Sequence, residues 1–353
     1  MRYGDSMREW FGPFRIQRRV GKGGLGAVYR AVDSRSGETV ALKMLPPGND
    51  PHAARRLARE FAALRRVQHP NIVRALEAGK EDGVPWLSME FIDGLGVREW
   101  LSVIREPVPL EPEPGEGAHG EEGVDLDVLF DEPDSGALLA AASARRLVRL
   151  TSLEATLDPV EQEETNAPER LAGLCDALAQ VCDGLAVFHA QGLLHRDLKP
   201  SNILVTPARR AILVDFGLIR GLHDDRVTDP GRVVGTYRYM APEQAKNEAV
   251  DQRSDLYSLG ATLYELLAGR PPFVQQGHYQ LLEAVVAQEP PDVNELNPGA
   301  PRALAQLAHR LLAKDPASRP SEAREVAMML RAVGRKQAPD SHEGPGAGDF
   351  HWS

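Results

Sequence analysis

The sequence is short of cysteine, of long apolar runs and of basic excess, and these shortages bound what the protein is. It holds two cysteines among 353 residues, Cys175 and Cys182, seven positions apart in a helical pattern. Seven residues of helix rise about 10.5 Å, beyond the ~7 Å a disulfide tolerates between Cα atoms. A disulfide-stapled secreted fold is therefore not expected, and both thiols read as reduced core residues of a cytoplasmic protein rather than as a catalytic or metal pair. No uninterrupted apolar run reaches the ~18 residues of a membrane span. The opening Met1-Arg2-Tyr3-Gly4-Asp5 has no apolar segment of secretory type. Neither a membrane span nor a nucleic-acid partner is expected. Hydrophobic residues at 42% and charged residues at 26% read as a globular chain able to bury a large core.

The net charge of −10 belongs to one stretch. Residues 105–167 hold 16 acidic and 4 basic residues, a net of −12, which leaves the rest of the chain near +2. The same stretch has six prolines and runs such as Glu111-Pro112-Glu113-Pro114-Gly115-Glu116-Gly117, so its first half reads as disordered. Ser135 to Leu157 is more apolar and basic and is compatible with a short helix or strand, or with docking on another surface. The readings weighed for this insertion are a solvated linker and a regulatory or docking element, with Thr151 and Ser152 as modification candidates.

What the sequence does carry centres on His195-Arg196-Asp197-Leu198-Lys199-Pro200-Ser201-Asn202. Phosphoryl transfer needs a carboxylate to orient the attacking hydroxyl, a cation for the moving group and a ligand for magnesium. Asp197, Lys199 and Asn202 supply all three from one short loop. Upstream, Phe14 to Leu45 reads as three strands. Gly21, Gly23 and Gly26 form G-x-G-x-x-G, which lets backbone N–H groups approach phosphates. Alone, that pattern also fits a hairpin turn or a dinucleotide site. Val28 extends it, and Lys43 follows Gly26 by 17 residues in Val40-Ala41-Leu42-Lys43.

Lys43 is a charge in an apolar strand and needs a partner. Asp50-Pro51 starts a helix that runs through Ala53 to Val67 and contains Glu60, the expected partner. The competing reading is a surface carboxylate among Arg55, Arg56 and Arg59. His69 to Val73 is expected to end the helix and begin a strand. Trp86 to Gly94 is expected to be a strand entering a turn, with Trp86 in the core.

Past the insertion, Asn166-Ala167-Pro168-Glu169 resembles a capping box. Leu171, Leu174, Leu178, Val181 and Leu185 follow at helical spacing, and His189 near the helix end reads as structural. Ile203-Leu204-Val205 and Ala211 to Val214 read as a hairpin delivering Asp215-Phe216-Gly217, 18 residues after Asp197.

On these motifs, with Ala241-Pro242-Glu243, the chain resembles the eukaryotic-type (Hanks-type) serine/threonine protein kinases. It is most like the bacterial members in Gly24 to Ala31 and Gly235 to Gln244. The resemblance implies an α+β, bilobal fold: a small antiparallel-sheet lobe over 14–92, with one main helix, and a larger helical lobe over 93–334. Residues 1–13 would be an extension, and 335–353 a disordered tail after a last helix over 321–333. ATP would bind between the lobes against Gly21, Lys22, Gly23, Gly24, Gly26, Val28, Ala41 and Lys43, with Leu204 beneath. Met89 would be the gatekeeper, and Glu90, Phe91 and Ile92 the hinge. Asn202 and Asp215 would hold magnesium, or manganese as an alternative. Asp197 would take the substrate proton, Lys199 would stabilise the γ-phosphate, and the Lys43–Glu60 pair would complete the catalytic set.

The resemblance further makes 218–239 an activation loop. Thr228 is its phosphorylation candidate, Asp224 and Asp225 are nearby mimics, and Arg196 would receive the phosphate. Thr236, a second candidate, would support Asp197 and Lys199. Phe216 and Asp255 are structural, and Arg319 is expected to pair with Glu243. Lys199 argues for serine and threonine over tyrosine. Leu25 departs from the aromatic often found at the glycine-loop tip. Partners implied are ATP and protein substrates, with a homodimer or a partner on the 105–167 insertion left open. A scaffold without catalysis, a kinase inhibited by its own insertion, and a small-molecule phosphotransferase are the alternatives. Lys43, Asp197, Asn202 and Asp215 are all present, which argues against the first of these. The full Glu243, Asp255 and Arg319 set argues against the last.

Overall fold

The computed structural model describes residues 9–23, 26–45, 51–103, 163–216 and 234–337. Alternating apolar strands build the first lobe. Strands β1 (Trp10–Phe11), β2 (Phe14–Gly23), β3 (Gly26–Asp33), β4 (Thr39–Met44), β5 (Ala75–Glu81) and β6 (Val84–Glu90) form one antiparallel sheet in the order β1-β2-β3-β4-β6-β5. Successive side chains of a strand face opposite sides. Val40 and Leu42 therefore pack with Phe11, Phe14, Ala31 and Trp86 on the outer face, while Ala41, Leu87 and Met89 face the main core. Lys43 shares the inner side with Ala41. Phe14 meets Trp86 edge-on at 4.9 Å between ring centroids, which places Trp86 in the core as expected.

Helix α1 (Pro51–Arg66) packs beneath the sheet through Leu57, Leu64 and the following Val67. A two-residue strand β7 (Leu95–Gly96) and helix α2 (Val97–Val103) lead away from the sheet. The second lobe is helical: α3 (Pro168–Ala190), α4 (Pro242–Ala245), α5 (Gln252–Ala268), α6 (His278–Ala287), α7 (Val293–Leu296), α8 (Arg302–Leu311) and α9 (Ala323–Gln337). Strands β8 (Ile203–Val205) and β9 (Ala211–Leu213) pair with each other, and β8 with β7, to floor the cleft. Helix α5 is buried on nearly every side. Its Gly260 lets α8 approach closely: a Cβ there would stand 2.5 Å from the Leu311 Cβ. Gly260→Ala is expected to lower stability by about 1–3 kcal/mol through overpacking. Thermal denaturation checks this, and an unchanged midpoint would show that the helices separate freely.

Several expectations need correction. The strand expected to begin within His69 to Val73 starts at Ala75 as β5, and before it Ile72 forms only an isolated parallel bridge with Leu213. The intervening backbone is taken by the other lobe: Val73 N–H donates to Leu213 O at 3.0 Å, Leu213 N–H to Asn71 O at 2.9 Å, and Asn71 Nδ2 to Ala211 O at 2.7 Å. No capping box opens α3. Its N-cap is Ala167, and Asn166 instead exchanges amide bonds of 2.7 and 3.0 Å with Asn297. The sheet starts before residue 14, because Trp10–Phe11 pairs with β2 and buries Phe11. Helix α9 extends to Gln337, past the expected tail boundary at 335.

Helix α3 is by itself long and apolar enough to cross a membrane, although its charged residues break the uninterrupted run; 67% of its apolar window is buried within this fold, as for a core helix. It holds Cys175 and Cys182, both free and buried; burial pushes the Cys175 thiol up to about 12 and the Cys182 thiol higher still. The described residues do not include the stretch 104–162, with Thr151 and Ser152, or residues 217–233, with Thr228, Asp224 and Asp225.

Candidate active site

The site forms where β2, β3 and β4 overhang the loop after α3. Register aligns its glycine-rich part with the lysine: Gly21 lies opposite Val28, and Val28 opposite Lys43. Gly23 pairs with Gly26 at the tip. Gly26 has φ +139°, and a Cβ there would sit 2.2 Å from Met44 O, so only glycine lets β3 turn this close to β4. Gly24 and the side chain of Lys22 lie outside the described residues. Ala41 faces Met89 across β4 and β6. Met89 is buried, and Glu90, Phe91 and Ile92 follow it on the segment joining the lobes. Arg74 closes that segment, its backbone N–H donating to Glu90 Oε1 at 2.8 Å. Leu204, half-buried in β8, lies on the cleft floor packed against the main core.

Lys43 is buried, and its ammonium donates to Glu60 Oε1 and Oε2 at 2.9 and 3.2 Å. Glu60, fully buried on α1, is thus the partner rather than a surface carboxylate. Asp215 Oδ1 lies 3.3 Å from the same nitrogen. Burial opposes the charge on Lys43, but the Glu60 and Asp215 carboxylates outweigh it and hold the ammonium above the usual lysine range. Three elements therefore meet at one nitrogen.

Below it, Lys199 Nζ donates to Asp197 Oδ2 at 2.8 Å. Asn202 Nδ2 donates to Asp197 O at 2.8 Å and to Asp197 Oδ2 at 3.3 Å. With its nitrogen committed, Asn202 keeps Oδ1, which accepts a bond of 3.4 Å from Ser201 Oγ, as its remaining donor to an ion, and Asp215 presents a carboxylate 42% exposed. These are hard oxygen donors of the kind magnesium selects. Among the described residues there is no cluster of three or more His, Cys, Asp or Glu side chains suited to a metal. Asn202 and Asp215 fit an ion that completes its shell with phosphate oxygens and water, the usual habit of magnesium.

The loop is held from beneath. Asp255, buried on α5, accepts the backbone N–H of His195 and of Arg196 at 2.8 Å each, and contacts His189 Nε2 at 2.8 Å. Burial pushes the Asp255 carboxyl up, but these bonds and the nearby histidines hold it below the ordinary carboxylate range. Arg196 has φ +63° and Asp215 has φ +54°. Both are left-handed non-glycine positions of the strained kind that clusters at functional sites. Phe216 is buried between Phe188 and His195, with ring centroids 4.7 and 4.5 Å away. Burial lowers the His195 pKa and keeps this ring neutral. Arg319 forks onto Glu243 at 2.7 and 2.9 Å, as expected from the sequence. Thr236 lies on a 3-10 turn over Val234–Tyr239, its side chain outside the described residues.

One cluster escaped the sequence reading. Glu265, buried in α5, accepts from the Tyr239 hydroxyl and pairs with Arg98 of α2. The signal was available: a glutamate in Leu263-Tyr264-Glu265-Leu266-Leu267 is a charge in an apolar helix and requires partners.

A family model described as protein tyrosine and serine/threonine kinase matches residues 14–329. The chain is 32% identical over 321 residues to serine/threonine-protein kinase PknD of Mycobacterium tuberculosis, a match covering 90% of this chain and 39% of that protein. It is 32% identical over 311 residues to serine/threonine-protein kinase PknE of Mycobacterium bovis, covering 88% and 44%. The chain thus spans less than half the length of these curated relatives. The crystal structure of the Mycobacterium tuberculosis PknI kinase domain superposes with a TM-score of 0.58 at 24% identity, over 93% of this chain and 98% of that one. This match speaks for the fold.

Proposed function

The chain belongs to the family of protein tyrosine and serine/threonine kinases, and from that premise we propose that it transfers the γ-phosphoryl group of ATP to serine and threonine hydroxyls of proteins, its own activation segment included. The observation that carries the reading is Lys43, joined at once to Glu60 at 2.9 Å and to Asp215 at 3.3 Å. Kinase catalysis requires both the lysine–glutamate pair and this aspartate in place.

In this reading Lys43 holds the nucleotide phosphates beneath the glycine-rich turn, and Ala41, Met89 and Leu204 enclose the adenine. Asn202 and Asp215 would hold magnesium, or manganese in its stead, which would supply positive charge against the phosphates. Asp197 orients the substrate hydroxyl and accepts its proton as the bond to phosphorus forms. Lys199, 2.8 Å from Asp197, reaches the phosphoryl group as it leaves ADP. Little covalent work falls to the protein, so the rate comes from positioning and fixed charge. Asp255 supplies the positioning by holding the strained backbone at Arg196. The reduced, buried thiols suit a cytoplasmic site of action, where ATP is available.

The test incubates the chain with magnesium and γ-labelled ATP plus a mixed acceptor protein, beside Asp197→Asn. Label on serine and threonine, including Thr228, is expected in the parent and none in the variant. Label on tyrosine alone, or no transfer while ATP binds, would overturn the reading.

A further inference from the structure

Glu60 is the one carboxylate of α1, and it faces inward to Lys43. The charges on the outer side are all positive. Arg55, Arg59 and Arg66 are exposed, and with exposed Ala62 they recur at i, i+4, i+7 and i+11, one stripe of a helix. None of the three arginines forms an ion pair with a described residue. No acid of the helix pairs with them, its first turn having none, and only Arg66, in the last turn, is favoured by the helix dipole. Like charges four residues apart weaken a helix, and cations in its N-terminal half gain nothing from the dipole. The face is built to be covered by negative charge.

The same chain supplies that charge. Between Glu111 and Asp134 stand ten carboxylates and no lysine or arginine. We propose that this acidic stretch docks on the arginine face of α1 within the same molecule. Reach is sufficient: Glu121 lies 18 residues beyond the end of α2 at Val103, about 60 Å of extended chain, against a radius of gyration of about 20 Å for a domain of this size. Strand β2 also exposes Arg15, Arg18 and Arg19. The register shift between Ile16 and Arg18 puts Arg15 and Arg18 on one face, opposite Val32 and Arg30, and Arg19 on the other, so β2 offers two arginines to one side against three along α1. A segment held on the outer face of α1 restrains the helix whose inner face presents Glu60. The docking does not depend on the catalytic reading.

The test uses the full chain with Arg55→Lys, Arg59→Lys and Arg66→Lys together, which keeps the charge and adds amines. A zero-length carbodiimide then joins amines to carboxylates in contact, and peptide mass spectrometry maps the links. Links from positions 55, 59 and 66 to carboxylates in 111–134 are expected. In a mixture of unlabelled and 15N-labelled chains they should fall within one molecule. They should drop at least about tenfold in 0.5 M NaCl, where the screening length is about 4 Å. Links between differently labelled chains would instead assign the face to a second copy. Stronger linking in an Arg15→Lys, Arg18→Lys, Arg19→Lys control would assign it to β2. Either result, or an absence of links, would overturn the proposal.

Discussion

Lys43→Met is expected to lower kcat by about 10²–10³-fold, the usual consequence of removing one fixed charge from a transition-state site. It is also expected to destabilise the protein by about 3–5 kcal/mol, as when a buried pair loses one partner. Methionine fills the space of the lysine stem, so the damage falls on Glu60, which is fully buried with Lys43 as its counter-charge. Burial already raises that carboxyl against the pull of Lys43; without Lys43, burial and the Asp215 charge act unopposed and raise it further above its unfolded value of about 4.3. A carboxyl raised on folding binds more protons folded than unfolded. Its contribution is fully present below the unfolded value and is lost as pH rises through the folded one. The stability deficit of Lys43→Met against the parent should therefore be larger at pH 8 than at pH 5. Steady-state kinetics and thermal melts at the two pH values check both parts. An equal deficit at each would mean that Glu60 finds another partner.

Arg319→Ala is expected to cost about 3–5 kcal/mol, a large part of the 5–15 kcal/mol by which a typical domain is stable. The guanidinium does more than pair with Glu243. Its nitrogens also donate to Ala313 O at 2.8 Å, Arg253 O at 3.0 Å and Lys314 O at 3.2 Å, and it lies 4.9 Å from the Tyr257 ring centroid. Truncation leaves three carbonyls and one buried carboxylate short of donors, with Ser254 Oγ at 2.6 Å still serving Glu243. Arg319→Lys should recover only a minor part, because an ammonium does not reproduce the planar fork. Burial pushes the Glu243 carboxyl up, but the Arg319 and Ser254 bonds more than offset it and hold the group below its ordinary range. A carboxyl depressed on folding stabilises above its unfolded value, and that stability is lost as pH falls through the folded one. The gap between parent and variant in urea midpoint should therefore narrow below about pH 4. A gap constant from pH 7 to pH 3.5 would place the cost in lost packing alone.

The catalytic loop was legible because its chemistry is local: Asp197, Lys199 and Asn202 lie within six residues of one another. The strands were legible because Val40, Leu42 and their neighbours alternate with the sheet's own period. Asn166 was misread because its cap signature is local, while Asn297, 131 residues away, offered its amide a better partner. The strand expected to begin within His69 to Val73 starts later, at Ala75, for the same reason: β9 takes the backbone bonds of 71–73. Arg98, Tyr239 and Glu265 were overlooked because they come from three separate stretches. Only the buried glutamate among them sends a signal in one dimension.

The sequence by itself determined which groups are present and which elements carry them. It set the glycines that admit a close backbone turn, the apolar periods of strand and helix, and the charges in apolar surroundings that must find partners. The tertiary structure alone decided who those partners are. It chose Glu60 from a helix otherwise lined with arginine, brought Asp215 to the same ammonium, and placed Asp255 under the strained backbone of Arg196. Such choices depend on distances between segments far apart in the chain. A buried charge states its need locally, but packing settles which distant carboxylate or amide comes within 3 Å of it.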